Sequence, residues 1–340
     1  MAKTLGDYGI TDYTALMSIK PRSQNFLQQI GLFPMDDDAQ YLSSDWVELE
    51  REEKGYTEMY NVERGADRQF AGDDKARLER LRVPYATLDK VTKPHEVQNF
   101  REYGTESTPA TVARLVERRL DSIRESHAKY IRDCQYNALV NNTVMVRNED
   151  GTLNTTSSLA RNFSTLWNAP RNTGTVDLTN SSVDPFIAFE EGFANIIDQA
   201  GDNGVDYKVA VIVPRATFSA IVTHPKVEAA YSQFASTPNP MRGRLGGLNR
   251  AFEHKGILIL EDITGKIPAD KAYLVPLDFA GLTDAAFSPA DVVGMENETS
   301  VGSYLFLDES NHRKVVIESD LGYMASINRP ELITDYTVTL

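Results

Sequence analysis

The chain has 340 residues, and its 35 Lys and Arg stand against 49 Asp and Glu, a net charge of −14. With 41% hydrophobic and 25% charged residues the balance is globular, which excludes disordered and collagen-like classes, and the acidic excess argues against a dedicated nucleic-acid binder. The single cysteine, Cys134, excludes an internal disulfide or a cysteine-rich zinc site and fits a reducing compartment such as cytoplasm.

Residues 1–40 read as a partly aromatic arm that lies on something else. Tyr8, Tyr13, Phe26, Leu27, Leu32 and Phe33 follow no clear period, Pro21 and Pro34 interrupt any long helix, and Asp36-Asp37-Asp38 reads as a solvated turn. The opening residues Met1 to Asp7 lack the basic and apolar regions of a signal peptide, and no run approaches the ~20 apolar residues that span a bilayer.

Residues 44–53 and 79–86 alternate with period two, which predicts strands. Val47 and Leu49 face one way and Glu48 and Glu50 the other. In the second segment Leu81, Val83 and Tyr85 oppose Arg80 and Arg82. The acidic and basic faces predict an antiparallel pair, with residues 54–78 as its flexible tip. A lone hairpin is marginal in water, so this ribbon needs a partner surface, expected from another chain.

Residues 107–142 carry the clearest helical pattern, from Thr108 as N-cap and Pro109 to a stop at Asn141-Asn142. A hairpin is expected over 143–156 and loop over 157–182. A second helix is expected from an Asp184 N-cap to Gly201, a buried strand over 207–213, two short helices around Pro225 and a flexible loop over 235–247. Strands are expected over 256–262, 271–276, 285–294, 301–308, 313–319 and 332–340. The class is α+β.

Motifs for chemistry are missing. No phosphate loop, dinucleotide fingerprint or nucleophile elbow occurs, and Gly265-Lys266 lacks the flanking residues of a phosphate loop. The five histidines show no metal-ligand spacing. His224 reads as structural and Cys134 as a buried core thiol. Asp73-Asp74 reads as a solvated turn, and Asp150-x-Thr152-x-Asn154 lacks the rest of a calcium loop. Arg114, Arg118, Arg119 and Arg124 alternate with acids along the long helix, which suggests intrahelical pairs. Arg242 and Arg244 lie in a glycine-bearing loop suited to a phosphate or to a neighbour's carboxylate, with the neighbour preferred. No catalytic, cofactor-binding or metal-ligating residue is expected. A well-folded chain with a projecting ribbon and no convergent polar constellation points to an assembly subunit rather than an enzyme.

The sequence resembles the major capsid proteins of tailed bacteriophages, the lambda-like major capsid protein E group. The resemblance runs in order through Phe26-Leu27, Leu32-Phe33-Pro34, Val47-Glu48-Leu49-Glu50, Glu63-Arg64-Gly65-Ala66, Val83-Pro84-Tyr85 and Asp150-Gly151. It continues through Thr223-His224-Pro225-Lys226, Ile267-Pro268-Ala269-Asp270, Ser288-Pro289-Ala290-Asp291 and Asn328-Arg329-Pro330-Glu331. It implies the tailed-phage capsid (Johnson) fold: an N-terminal arm (1–40), an extended E-loop hairpin (41–90), a peripheral domain on the long spine helix (91–182), an axial domain (183–310) and C-terminal strands returning to the peripheral domain (311–340).

The implied function is a structural head protein that assembles as hexamers and pentamers into an icosahedral shell around double-stranded DNA, without sequence-specific binding. A cellular nanocompartment shell of the same fold is the alternative. Implied partners are identical subunits, a scaffolding protein in trans, a portal at one vertex and a decoration protein, with no membrane. The shell would assemble in the host cytoplasm. Inter-subunit contact is expected from Trp46, Val47, Leu49, Tyr56, Tyr60, Arg64, Arg68, Phe70, Leu81 and Val83 of the hairpin, and from Arg242 and Arg244 near the hexamer axis.

Overall fold

The computed structural model describes residues 3–5, 10–12, 25–34, 38–53, 75–96, 112–200, 208–232, 250–277, 279–295, 297–308 and 313–340. In chain order its first elements are β1 (Lys3–Leu5), β2 (Ile10–Asp12), α1 (Phe26–Gln29), β3 (Gln40–Tyr41), β4 (Trp46–Glu53), β5 (Lys75–Arg82), β6 (Tyr85–Thr87) and β7 (Lys90–Thr92). The middle of the chain forms α2 (Val112–Asn141), α3 (Phe163–Trp167), β8 (Asn172–Asp177), α4 (Phe186–Ala200), β9 (Lys208–Pro214), α5 (Arg215–Val222) and α6 (Pro225–Ser232). The remainder is β10 (Ala251–His254), β11 (Ile257–Asp262), β12 (Lys271–Leu277), β13 (Thr283–Ser288), β14 (Ser303–Asp308), β15 (Val315–Ile327) and β16 (Thr334–Thr339).

The described part of the spine helix, α2, has 30 residues, about 45 Å at 1.5 Å per residue. Its apolar stripe meets two environments. Ile123, with Val116 and Leu120 beside it, packs on Leu305, Leu307 and Ile317 of β14 and β15, whereas Ile131, Cys134, Ala138 and Leu139 enter the main core. The stop falls where the sequence places it, because Asn142 takes a left-handed φ of 55°, a conformation asparagine tolerates. Arg171 then closes the helix end, its guanidinium donating to the carbonyls of Ala138 and Leu139 and pairing with Asp335 at 3.1 Å. The expected N-cap, Thr108 and Pro109, lies outside the described residues.

Two sheets share the main core. The eight-stranded sheet runs β1-β2-β14-β15-β13-β3, with β6 and β7 also on β15. Asp320 and Leu321 pair with both β14 and β6, so those strands occupy opposite edges of β15. The six-stranded sheet runs β10-β11-β9-β12-β16-β8, and β9 is buried from Val209 to Val213, as its continuous apolar run requires. The 183–310 segment therefore divides between sheets. Its β13 and β14 join the sheet on the spine helix, while β16 from beyond it and β8 from before it complete the other. Residues 25–34 also belong to the body: Phe26, Leu27, Leu32 and Phe33 are core residues.

Three expectations are corrected. The expected hairpin over 143–156 closes only around its turn, through the antiparallel Arg147–Leu153 bridge and the backbone bonds from Asn148 N to the Thr152 carbonyl and from Asn154 N to the Val146 carbonyl, while Thr143 bridges Asn162 instead. Val144 and Met145 are both buried, which breaks the alternation a half-buried ladder needs, and the Asp150 carboxylate accepts from the Thr152 amide in a local turn. The expected loop 157–182 contains α3 and β8. Strand β8 is polar and carries Gly174, where a Cβ would stand 2.4 Å from Cε1 of Tyr336, so the ring of the neighbouring strand dictates glycine there. Finally, the strand expected over 313–319 extends through Ile327, because its 13 residues serve β14, β6 and β7 in one half and β13 in the other.

His127 lies between α2 and the eight-stranded sheet. It is buried, its Nε2 is 3.2 Å from Ser319 Oγ, and its Nδ1 has no hydrogen-bond partner among the described residues. Burial pushes its pKa down to about 4, because a charge there would be unsolvated. Between the ordinary value near 6.5 and pH 4 the unfolded chain binds a proton that the folded chain refuses. This contribution is thus fully present above about pH 6.5 and is lost as the pH falls to 4, a change of about 3 kcal/mol. Denaturant unfolding of the subunit at pH 7.5 and pH 4.5 should show His127→Gln losing less stability on acidification than wild type, by about 2 kcal/mol.

Candidate assembly surface

The β4–β5 ribbon is the element that sequence reasoning singles out for contact. Its register pairs Trp46 with Arg82, Val47 with Leu81, Glu48 with Arg80, Leu49 with Glu79 and Glu50 with Leu78. Alternation separates two faces. One face carries Val47, Leu81 and Leu49, at 0%, 4% and 2% exposure, and Val83 just beyond β5 is buried as well. The other carries Trp46 and Leu78, exposed by 48% and 57%, among Glu48, Glu50, Arg80 and Arg82. Glu48 and Arg80 form the cross-strand ion pair that the charge pattern predicts, and Arg82 pairs with Asp45 at 2.8 Å.

Four of the expected contact residues are buried within the subunit itself. Val47, Leu49, Leu81 and Val83 are members of this chain's own main core, so they are already covered before any second copy arrives. The alternation found the apolar face correctly; it does not say which body covers that face. Of the expected set, Trp46 is the described residue left exposed. Tyr56, Tyr60, Arg64, Arg68 and Phe70 of the ribbon tip, and Arg242 and Arg244 of the later loop, lie outside the described residues. Leu78, which the sequence reading placed in the tip, is exposed on the same face as Trp46, as its place on the Arg80 and Arg82 side of the alternation requires.

The root of the ribbon is tied to the body in three ways. On entry, β3 pairs in parallel with β13, and Leu42 exchanges backbone bonds with Phe287 and Ser300. On exit, Tyr323 donates to the Pro84 carbonyl at 3.3 Å, and β6 joins β15. Between them, Arg51 makes a bidentate pair with Glu331, at 2.8 and 3.3 Å, with side chains only 12% and 10% exposed. A planar guanidinium on two carboxylate oxygens fixes orientation as well as distance.

The other candidate groups are structural. Cys134 is buried and its thiol pKa is pushed far up by desolvation, the opposite of an activated nucleophile. His224 is held between the Asn180 carbonyl and the Lys226 amide. Lys266 pairs with Asp133 at 3.0 Å, and Asp150 and Asn154 accept from their own following residues. Of the spine arginines, Arg124 makes the expected intrahelical pair with Asp121, but Arg119 leaves the helix for Glu96 and Thr92. No group of three or more potential ligand side chains gathers for a metal among the described residues, and none of the described helices is long and apolar enough to cross a membrane.

This architecture, a long helix against a sheet, a second sheet and a projecting ribbon, is the fold of tailed-phage capsid subunits. The chain superposes on the capsid protein of Myoviridae phage XM1 with a TM-score of 0.53, at 11% identity over 93% of this chain and 92% of the other. It superposes on that of Ralstonia phage GP4 with a TM-score of 0.52, at 9% identity over 91% and 87%. The description Phage major capsid protein E matches residues 10–316, and the chain belongs to that family, as a structural major capsid protein of a phage virion. It is 25% identical over 348 residues, covering 96% of both chains, to the major capsid protein of Pseudomonas phage KPP10. These likenesses favour a phage head over the nanocompartment alternative.

If Arg51–Glu331 orients the ribbon, Arg51→Met should leave a buried unpaired carboxylate and cost about 3 kcal/mol in urea unfolding. Hydrogen exchange at residues 46–53 should accelerate, and Arg51→Met with Glu331→Leu should regain most of the loss.

Proposed function

We propose that copies of this chain assemble as hexamers and pentamers into an icosahedral shell around double-stranded DNA, and that the outward face of the β4–β5 ribbon lies across the adjacent copy. The observation that carries this reading is the two-faced ribbon itself. Its inner face is covered by its own chain, while the outer face presents Trp46 and Leu78 inside a frame of paired charges. Exposed aromatic and aliphatic side chains ringed by charge are what a docking patch requires, and Glu48, Arg80 and Arg82 would set its register.

The tip, with Tyr56, Tyr60, Arg64, Arg68 and Phe70, would adapt to inequivalent lattice positions, and Arg242 and Arg244 would meet a neighbour's carboxylates near the symmetry axis. In this reading the N-terminal arm and E-loop serve contact. The peripheral unit comprises α2 and the eight-stranded sheet, and the axial unit comprises the six-stranded sheet with α4 to α6. A net charge of −14 suits a container that must not grip its DNA. Scaffolding in trans, a portal at one vertex, a decoration protein and assembly in the host cytoplasm complete the proposal. The chain is assigned no catalytic role.

Two variants test it. Deleting residues 54–74, the stretch between β4 and β5, should leave a subunit with native circular dichroism that forms no closed shells by negative-stain microscopy. Trp46→Asp with Leu78→Asp should change subunit stability by less than about 1 kcal/mol, as surface substitutions do, yet abolish shells. Normal particles from both would remove the ribbon from the assembly mechanism.

A further inference from the structure

Helix α4 has a face that the described part of its own chain leaves open. Phe186, Phe189 and Ile196 turn into the main core. On the other side Ile187 and Ile197 are exposed by 48% and 42%, and Glu190, Glu191, Ala194 and Asp198 are exposed around them. Spacings of three and four residues put these side chains on one face. Glu190 pairs with Lys255 at 3.3 Å, whereas among the described residues no cation pairs with Glu191 or Asp198. The face is thus apolar and acidic together.

The chain also carries a segment of the opposite character. Residues 233–249 contain no Asp or Glu, in a chain with 49 of them, and place Arg242 and Arg244 among Met241, Leu245 and Leu248. Both ends of this segment lie toward one edge of the six-stranded sheet. The helix before it, α6, packs on α5, which lies on β9 and β11. Arg250, just after it, donates to Glu261 of β11 and to Ser219 of α5. Helix α4 meets that edge through Phe186, whose ring stands 4.6 Å from His254 of β10. It then passes Tyr336 of β16 and Leu274 of β12 and packs on β8, the opposite edge strand.

We propose that the open face of α4 receives segment 241–248 of an adjacent copy, with Arg242 and Arg244 on Glu191 and Asp198 and the apolar residues of the segment beside Ile187 and Ile197. This rests on the shell reading and names the carboxylates that reading leaves unassigned. Guanidinium forks match carboxylates in direction as well as charge, and side chains such as Leu245 and Leu248 cover exposed isoleucines that arginine alone would leave wet. Gly243, Gly246 and Gly247 let the segment lie close to a helix and bend to fit rings of different size. A donor segment toward one edge of a sheet and an acceptor face running to the other make a head-to-tail contact, the type that closes into a ring when the rotation permits.

Two experiments on the full chain test the contact. Assembled shells of Ala194→Cys with Gly243→Cys are treated with a short bismaleimide; Cys134 is buried and does not compete. Denaturing gels should show chains linked to one another up to the size of the ring. A linkage confined within single chains puts the segment on its own α4 and overturns the neighbouring copy, and no linkage overturns the contact. Separately, Glu191→Arg with Asp198→Arg should leave the urea midpoint of the subunit unchanged, as surface substitutions do, and abolish shells by negative-stain microscopy. Adding Arg242→Glu and Arg244→Glu should restore them. Shells from the Glu191→Arg, Asp198→Arg chain, or no rescue by the reversed arginines, overturn the pairing while the shell reading stands. Failure of the wild-type chain itself to form shells removes that reading, and this contact with it.

Discussion

A two-stranded ribbon has two faces, and the chain that makes it can cover only one. Here the covered face is that of Val47, Leu49 and Leu81, inserted in the same core that holds both sheets. Burying three such side chains contributes on the order of 5 kcal/mol, enough to hold the root of the ribbon down. The bidentate Arg51–Glu331 pair adds direction to that adhesion. The opposite face follows by geometry: once the inner residues are seated, Trp46 and Leu78 must point outward. What looks like a loose arm is thus a rigid root that presents a defined outer surface.

The same division of labour recurs elsewhere in the protein. Polar side chains join elements that apolar packing alone would leave free to shift. Asn25, Gln135 and Tyr323 form a hydrogen-bonded chain from the N-terminal segment through the spine helix to β15. Arg171 links the end of α2 to β16 through Asp335. Arg250 clasps the nearly buried Glu261 with two nitrogens and lies over the Phe218 ring. Buried charged pairs of this kind add little net stability, but removing one partner is costly, so they hold particular elements in particular places. A subunit that must present the same surfaces to each copy it meets is served by such joints.

The spine helix was legible because its apolar residues recur every three or four positions over 30 residues and its end is marked by two asparagines. The ribbon was legible because charge and hydropathy alternate together through β4 and β5. The polar strand β8 was not, since Asn172, Thr173 and Gly174 carry no strand signature; they are a strand because β16 offers a parallel edge and Tyr336 needs the space over glycine. The short β7 was hidden for the same reason, being too brief to show a period and formed only by pairing with β15, whereas β6 begins inside the expected strand 79–86, which breaks at Val83-Pro84.

Family membership, fold class and the two-faced character of the ribbon were therefore determined by the sequence, through order of motifs and periodicity, which are properties of neighbours along the chain. Which body covers Val47, Leu49, Leu81 and Val83, which sheet receives β13, β14 and β16, and which carboxylate finds Arg51 or Arg171 were decided by the tertiary structure. The reason is physical: an apolar or charged side chain specifies that it must be covered or paired, not by which distant part of the chain. That choice is made when all the segments compete for the same surfaces at once.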